Sequence, residues 1–217
     1  MANKNSESDE PRSVDWHVTP NVSPDQALER LVAGNERFVR GEGTTRQVLR
    51  ETLADLARGQ RPFATILGCS DSRVPPELVF DAGPGELFVI RVAGNVFSPE
   101  VAGSLQYAGS HLHTPLFVVL GHEGCGAVAA AVETRDSGNQ HESRIQLLVD
   151  NIAEGLPALD PRLELAERLS QAVESNVRWT VRQILETPEG QARLFEGRLR
   201  LVGAIYEIET GHVKFLT

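Results

Sequence analysis

The chain has 217 residues, is 41% hydrophobic, and sets 21 basic against 30 acidic residues for a formal net charge of -9. That length fits one α/β domain with helical additions. The charge argues against nonspecific nucleic-acid binding and against attraction to anionic membrane surfaces. No apolar stretch approaches the roughly 18 residues of a membrane span. The amino terminus carries Glu7, Asp9 and Glu10 and no basic-plus-apolar leader, so a cytoplasmic protein is the simplest expectation.

Residues 1–22 are polar, contain Pro11 and Pro20 and show no periodicity, which reads as a flexible amino-terminal arm ahead of a single domain over 23–217. Ser23-Pro24-Asp25-Gln26 is a capping box with proline at the first helical position. The helix it opens gathers Leu28, Leu31, Val32, Asn35, Phe38 and Val39 on one face and stops near Gly41 and Gly43. A second helix groups Leu49, Leu53, Leu56 and Ala57 and ends at Gly59. Both helices precede the sheet, so they must pack on its outside or on another subunit.

ATILG at 64–68, LFVIRVA at 87–93 and LFVVLG at 116–121 are short apolar, β-rich runs of the kind buried parallel strands show. Between the first two, VPPE at 74–77 and AGPGE at 82–86 bracket a short return. Ser98 and Pro99 start a helix that buries Val101, Leu105, Ala108 and Leu112 and makes a right-handed crossover to the third strand. Ala127, Ala129, Ala130 and Ala131 predict a helix packed closely on the sheet. After a polar loop at 134–140, Ile145, Leu148, Val149 and Ile152 form one helix, and Asp160-Pro161 opens a longer one running through Leu165 to Leu185. Thr187-Pro188 starts a short last helix. A strand at 199–209, a turn at Thr210-Gly211 and a partner strand at 212–216 complete the sheet as an edge hairpin.

Two polar segments stand out: CSDSR at 69–73 and GHEGCG at 121–126, each at the carboxyl end of a predicted strand, where open α/β sheets place ligands. Cys69, Asp71, His122 and Cys125 are four potential metal ligands. Two thiolates, an imidazole and either a carboxylate or a water complete a tetrahedral zinc site. Ligands only about 2.0 to 2.3 Å from one ion cannot sit on distant loops. The strands before Cys69 and His122 should therefore be neighbours, with the intervening strand outside, in the local order second, first, third. Cys69 and Cys125 are the only cysteines. A disulfide between them is the alternative, but the flanking Asp71 and His122 favour a metal. The helix beginning after Cys125 would favour its thiolate.

With zinc on Cys69, His122 and Cys125, the fourth position goes to Asp71 or to water. Bound water would be acidified from ~15.7 toward ~7, which makes hydroxide available at neutral pH. Asp71, if detached, would accept a hydrogen bond from that hydroxide. Arg73, two residues on in an extended stretch, would hold Asp71 off the metal through a bidentate pair and so act as a gate. A closed structural zinc site reads the same way in sequence.

CSDSRVPPE, FVIRVAGN and GHEGCGAV, in this order, resemble the β-class carbonic anhydrases, which hydrate carbon dioxide to bicarbonate. The resemblance runs from about Ser23 to the carboxyl terminus. It implies zinc on Cys69, His122 and Cys125 and a catalytic pair of Asp71 and Arg73. It further implies a substrate pocket at Gln60, Phe88, Val92, Tyr107 and Gly126, with Gln60 and the Gly126 backbone on substrate and the others forming an apolar wall. Members of that family form homodimers, often paired into tetramers, whose first helices embrace the neighbour, which would occupy Leu28, Leu31 and Phe38. Ile66 stands where a subgroup with a site closed at low pH has tryptophan, although Arg91 matches that subgroup, so an open zinc site is expected. Hydrolysis of a related heterocumulene, carbon disulfide or carbonyl sulfide, and a catalytically silent zinc module are the competing readings.

Overall fold

The computed structural model describes residues 22–43, 50–188, 190–191 and 199–216. The proposed arm over 1–22, with Trp16, lies outside these residues except for Val22, as does Leu49 of the second helix. The elements run α1 (Pro24–Val39), α2 (Arg50–Leu56), β1 (Ala64–Gly68), α3 (Pro76–Val79), β2 (Leu87–Arg91), a 3₁₀ turn (Ala93–Asn95), α4 (Pro99–Ser110), β3 (Leu116–His122), α5 (Gly126–Ser137), α6 (Ser143–Gly155), α7 (Leu165–Glu186), β4 (Arg200–Tyr206) and β5 (Val213–Leu216).

The sheet has the order β2-β1-β3-β4-β5. The first four strands are parallel and β5 closes the edge antiparallel. This is the order that a shared metal ligand set demanded. β1 and β3 are buried along their whole length because helices cover both faces of the sheet. Alternation within each strand divides the core. Ala64, Ile66, Leu116, Val118 and Leu120 face α1 and α3 together with Leu31, Val79 and Phe80. Leu67, Phe117 and Val119 face α4 and α7 together with Val101, Leu105, Val177 and Ile184.

α1 begins as its sequence dictates. Ser23 Oγ accepts from the Gln26 N–H, and the Gln26 side chain accepts from the Ser23 N–H. Its inner face lies on its own chain: Ala27 and Leu31 are fully buried, while Asn35 donates to the Val79 and Gly211 carbonyls and accepts from the Val213 N–H. Leu31 is therefore not available to a neighbouring subunit, while Val32 remains outward at 39% exposure.

Four boundaries differ from the sequence reading. β2 ends at Arg91 rather than at Ala93, which joins the 3₁₀ turn. α2 ends at Leu56 rather than at Gly59. β4 ends at Tyr206, because Glu207 already belongs to the hairpin turn, accepting from the Gly211 N–H and donating to the His212 carbonyl. Asp160 caps an isolated turn by accepting from the Arg162 N–H and guanidinium, and α7 starts only at Leu165. α7 then crosses directly over β3 and β4. A side chain at Gly121 would place its Cβ 2.5 Å from Val177 Cγ2, so glycine is what lets this helix approach the strand that carries His122.

Candidate metal centre

Cys69 follows β1 directly, His122 is the last residue of β3, and Cys125 is the N-cap of α5. Pairing of β1 with β3 sets Gly68 opposite Leu120, so two adjacent strand ends deliver the three side chains to one point. The two sulfurs and an imidazole nitrogen lie within 4.8 Å of one another, and all three residues are buried.

His122 Nδ1 is 2.8 Å from the Glu123 carbonyl oxygen. A carbonyl only accepts, so Nδ1 carries the hydrogen and the lone pair is left on Nε2. That Nε2 is buried with no hydrogen-bond partner. Burial opposes a positive charge there, but the Cys69 thiolate, the Glu123 carbonyl and the Asp71 carboxylate together outweigh it, and the histidine pKa is raised. The site thus calls for a cation at Nε2.

The sulfurs make the same demand. A hydrogen bond from Cys125 pulls the Cys69 thiol well below its usual range, and Cys125 is pushed up correspondingly by that bond and by burial. The first-turn N–H groups of Ala127 and Val128 favour the Cys125 thiolate, as its place at the helix start predicts, yet they do not overcome the neighbouring sulfur. Two buried sulfurs this close cannot both be anionic without a cation between them, and a thiophilic divalent ion satisfies both. Zinc fits a donor set of two thiolates and one imidazole.

Asp71 is beside this cluster and not in it. Its Oδ2 is 3.9 Å from His122 Nε2. Arg73 holds the carboxylate in a bidentate grip, Nε to Oδ1 at 3.0 Å and Nη2 to Oδ2 at 2.8 Å, and its backbone N–H adds a third bond to Oδ1 at 2.9 Å. These bonds keep the Asp71 carboxyl far below the usual carboxylate range. Arg73 Nη2 also donates to the Gly124 carbonyl at 3.3 Å, which links the two motif loops. Arg91, which the sequence marks only through the subgroup comparison, clasps the first loop from β2 by donating to the carbonyls of Cys69 at 3.0 Å and Asp71 at 2.5 Å.

The predicted pocket residues divide into two groups. Val92 packs in the same apolar cluster as Cys69 and Cys125, and Gly126 opens α5 with free space where a side chain would stand. Gln60, Phe88 and Tyr107 are not brought to the cluster of their own chain. Phe88 pairs with Thr65, four residues before Cys69 and hence about 13 Å down the strand. Tyr107 stacks on Phe88 with centroids 6.0 Å apart, and the Gln60 Cβ lies beside Gly85 at the same end of the sheet.

Fold and donor set together define an α/β protein with a two-cysteine, one-histidine cluster that could hold a metal ion at the carboxyl edge of a parallel sheet. The family model described as carbonic anhydrase matches residues 64–213, and the chain belongs to that family. It is 37% identical over 193 residues to carbonic anhydrase 2 of Mycobacterium tuberculosis, which covers 88% of this chain and 92% of the relative. Among solved structures, the β-carbonic anhydrase CcaA superposes with a TM-score of 0.67 at 28% identity over 87% of this chain and 86% of that one. A structure from a study of two tetrameric β-carbonic anhydrases of Sordaria macrospora gives 0.69 at 25% identity, over 87% and 96%.

Proposed function

We propose that the protein is a zinc-dependent carbonic anhydrase that catalyses the reversible hydration of carbon dioxide to bicarbonate and a proton. The observation that carries this reading is the convergence of Cys69, His122 and Cys125 beside a carboxylate held by arginine. Zinc held by these three residues supplies a Lewis acid that lowers the pKa of a coordinated water from ~15.7 toward ~7.

The chain's own residues do the rest. Asp71, kept ionised by Arg73, can only accept a hydrogen bond, so it orients the attacking water by taking a proton contact at Oδ2, the oxygen nearer His122. The same grip keeps the carboxylate from becoming a fourth ligand, which is the open arrangement. Val92 provides apolar surface beside the two sulfurs, and the Gly126 N–H, with open space where a side chain would stand, a donor.

Gln60, Phe88 and Tyr107 can complete this pocket only from a partner subunit, since in one chain they sit at the far end of β1 and β2. β2 is an edge strand, and Tyr107 is 37% exposed. A homodimer, alone or paired into a tetramer, is therefore the proposed working unit, with no nucleic-acid or membrane partner. Among the described residues no helix is long and apolar enough to cross a membrane. Both thiols must stay reduced to ligate, which suits the cytoplasm.

Stopped-flow hydration of carbon dioxide between pH ~6.5 and ~9, with zinc analysis of the same sample, tests the proposal. The expected result is hydration that rises with pH and about one zinc per chain. Zinc at that level with no hydration overturns it and directs the assay to carbon disulfide and carbonyl sulfide.

A further inference from the structure

Behind the metal donors, a buried polar relay runs from the middle of α7 to the Cys69 sulfur. Its central piece is the turn after β2, where Gly94 and Asn95 both adopt left-handed conformations with φ of 69° and 46°. Asparagine tolerates this region better than other side chains do, but two successive left-handed residues make a sharp turn whose carbonyls need partners. α7 provides those partners. Asn176 Nδ2 donates to the Gly94 carbonyl at 2.8 Å, and Thr180 Oγ1 donates to the Asn95 carbonyl at 3.3 Å. The two side chains are 1% and 0% exposed and lie one helical turn apart on the same face.

The other side of the turn faces the site. The Gly94 N–H donates to Cys69 Sγ at 3.3 Å. A side chain at Gly94 would come within 2.8 Å of Ile152 Cδ1 and 3.1 Å of Ala127 Cβ, so the turn is also pressed between α6 and α5. The Asn176 Oδ1 has no partner of its own, which leaves the bond to Gly94 as what fixes this amide. Neither Asn176 nor Thr180 is hydrogen-bonded to a metal donor.

We propose that Asn176 and Thr180 are positioning residues: they pin the Gly94–Asn95 turn so that its N–H stays on the Cys69 sulfur, and thereby set how firmly the site retains its metal. The inference rests on reading Cys69 as a zinc ligand. An N–H bonded to a ligating sulfur fixes the direction of its lone pairs and moderates its charge. Loss of such an outer partner changes metal affinity by about 10- to 100-fold.

The test measures zinc release from the zinc-loaded full-length protein into a chromophoric chelator, together with the thermal unfolding of each variant. Asn176→Leu keeps the volume and removes the donor, and zinc release should accelerate about tenfold or more. Thr180→Val should accelerate it in the same direction, and Thr180→Ser, which restores the hydroxyl, should behave as wild type. Should Asn176→Leu fail to fold, the Thr180 pair carries the comparison. Asn35→Leu is the control: it removes an equally buried amide with three hydrogen bonds on the opposite face of the sheet. It should lower the unfolding temperature and leave zinc release unchanged. In cobalt-loaded protein the sulfur-to-metal charge-transfer band should shift in Asn176→Leu and Thr180→Val alone.

Release rates that track unfolding temperature across all variants, Asn35→Leu included, overturn the inference, as do unchanged rates in both Asn176→Leu and Thr180→Val. A wild type that takes up no zinc removes both this inference and the activity reading. Accelerated release from a protein that binds zinc and hydrates nothing sustains the relay and removes the activity.

Discussion

Replacing Arg73 with alanine should separate chemistry from stability. Arg73 makes three of its four hydrogen bonds to Asp71, and its side chain is 52% exposed. An ion pair this open to solvent contributes little to folding, so the unfolding temperature should fall by about 4 °C at most. The site, by contrast, should change state. A carboxylate oxygen and an imidazole nitrogen that share a tetrahedral ion at bonds of ~2.0 Å stand about 3.3 Å apart, and Asp71 Oδ2 is already 3.9 Å from His122 Nε2. A displacement of at least about 0.6 Å separates the two arrangements, and in this structure the Arg73 grip opposes it. Freed, Asp71 is expected to take the position of the metal's water, and kcat/KM for carbon dioxide hydration should fall by about 10², the order that a misplacement of about 1 Å costs. Stopped-flow hydration on samples matched for zinc content is the assay. A zinc-loaded Arg73→Ala variant that keeps most of its activity would refute the argument.

Three further outcomes follow from the same geometry. Gly121→Ala drives a methyl to 2.5 Å from Val177 Cγ2 and should cost about 1–3 kcal/mol, read as a drop of about 2–4 °C per kcal/mol in thermal unfolding; an unchanged midpoint would show that α7 is free to shift. The Asp71 carboxyl is depressed in the folded state. Its contribution is therefore fully present above the unfolded value of ~3.9 and is lost as pH falls through the lower folded value. The difference in urea stability between wild type and Arg73→Ala should thus stay constant from neutral pH down to about 4.5 and shrink below it, and a difference that vanishes near pH 6 contradicts this. Finally, mixing inactive Cys69→Ala with inactive Gln60→Ala protein under exchange conditions should regain activity. In the hybrid, the zinc of the Gln60→Ala chain meets an intact Gln60 across the interface. Mixtures as inactive as their parents would place Gln60 outside the partner's site.

The sheet order and the donor cluster were legible because they depend on a few residues with strong geometric demands. A metal ligand at the end of each of two strands forces those strands together, and β1 and β3 pair as that requires. The capping box at Ser23 and the apolar face of α4 depend on local rules that tertiary packing leaves intact. What motif matching could not show is where the pocket residues implied by the resemblance fall relative to the sulfurs. Gln60, Phe88 and Tyr107 read as pocket residues, and pattern alone does not reveal that they lie at the opposite end of the sheet from the sulfurs of their own chain. The start of α7 was misplaced because Asp160-Pro161 is a sound local helix signal, and the Arg162 side chain and N–H satisfy Asp160 before a helix can begin. Asn176 and Thr180 were invisible for a related reason. They occupy the face that Val173 and Val177 mark as core, and only the fold shows the turn against which they are placed.

Zinc K-edge X-ray absorption on the purified protein tests the central claim most directly, because it counts the atoms bound to the metal without relying on turnover. The account predicts two sulfur scatterers at ~2.3 Å with nitrogen or oxygen at ~2.0–2.1 Å, a pattern that collapses when Cys69 or Cys125 is replaced by alanine. A shell made only of nitrogen and oxygen, or one unchanged by the loss of either cysteine, would contradict it.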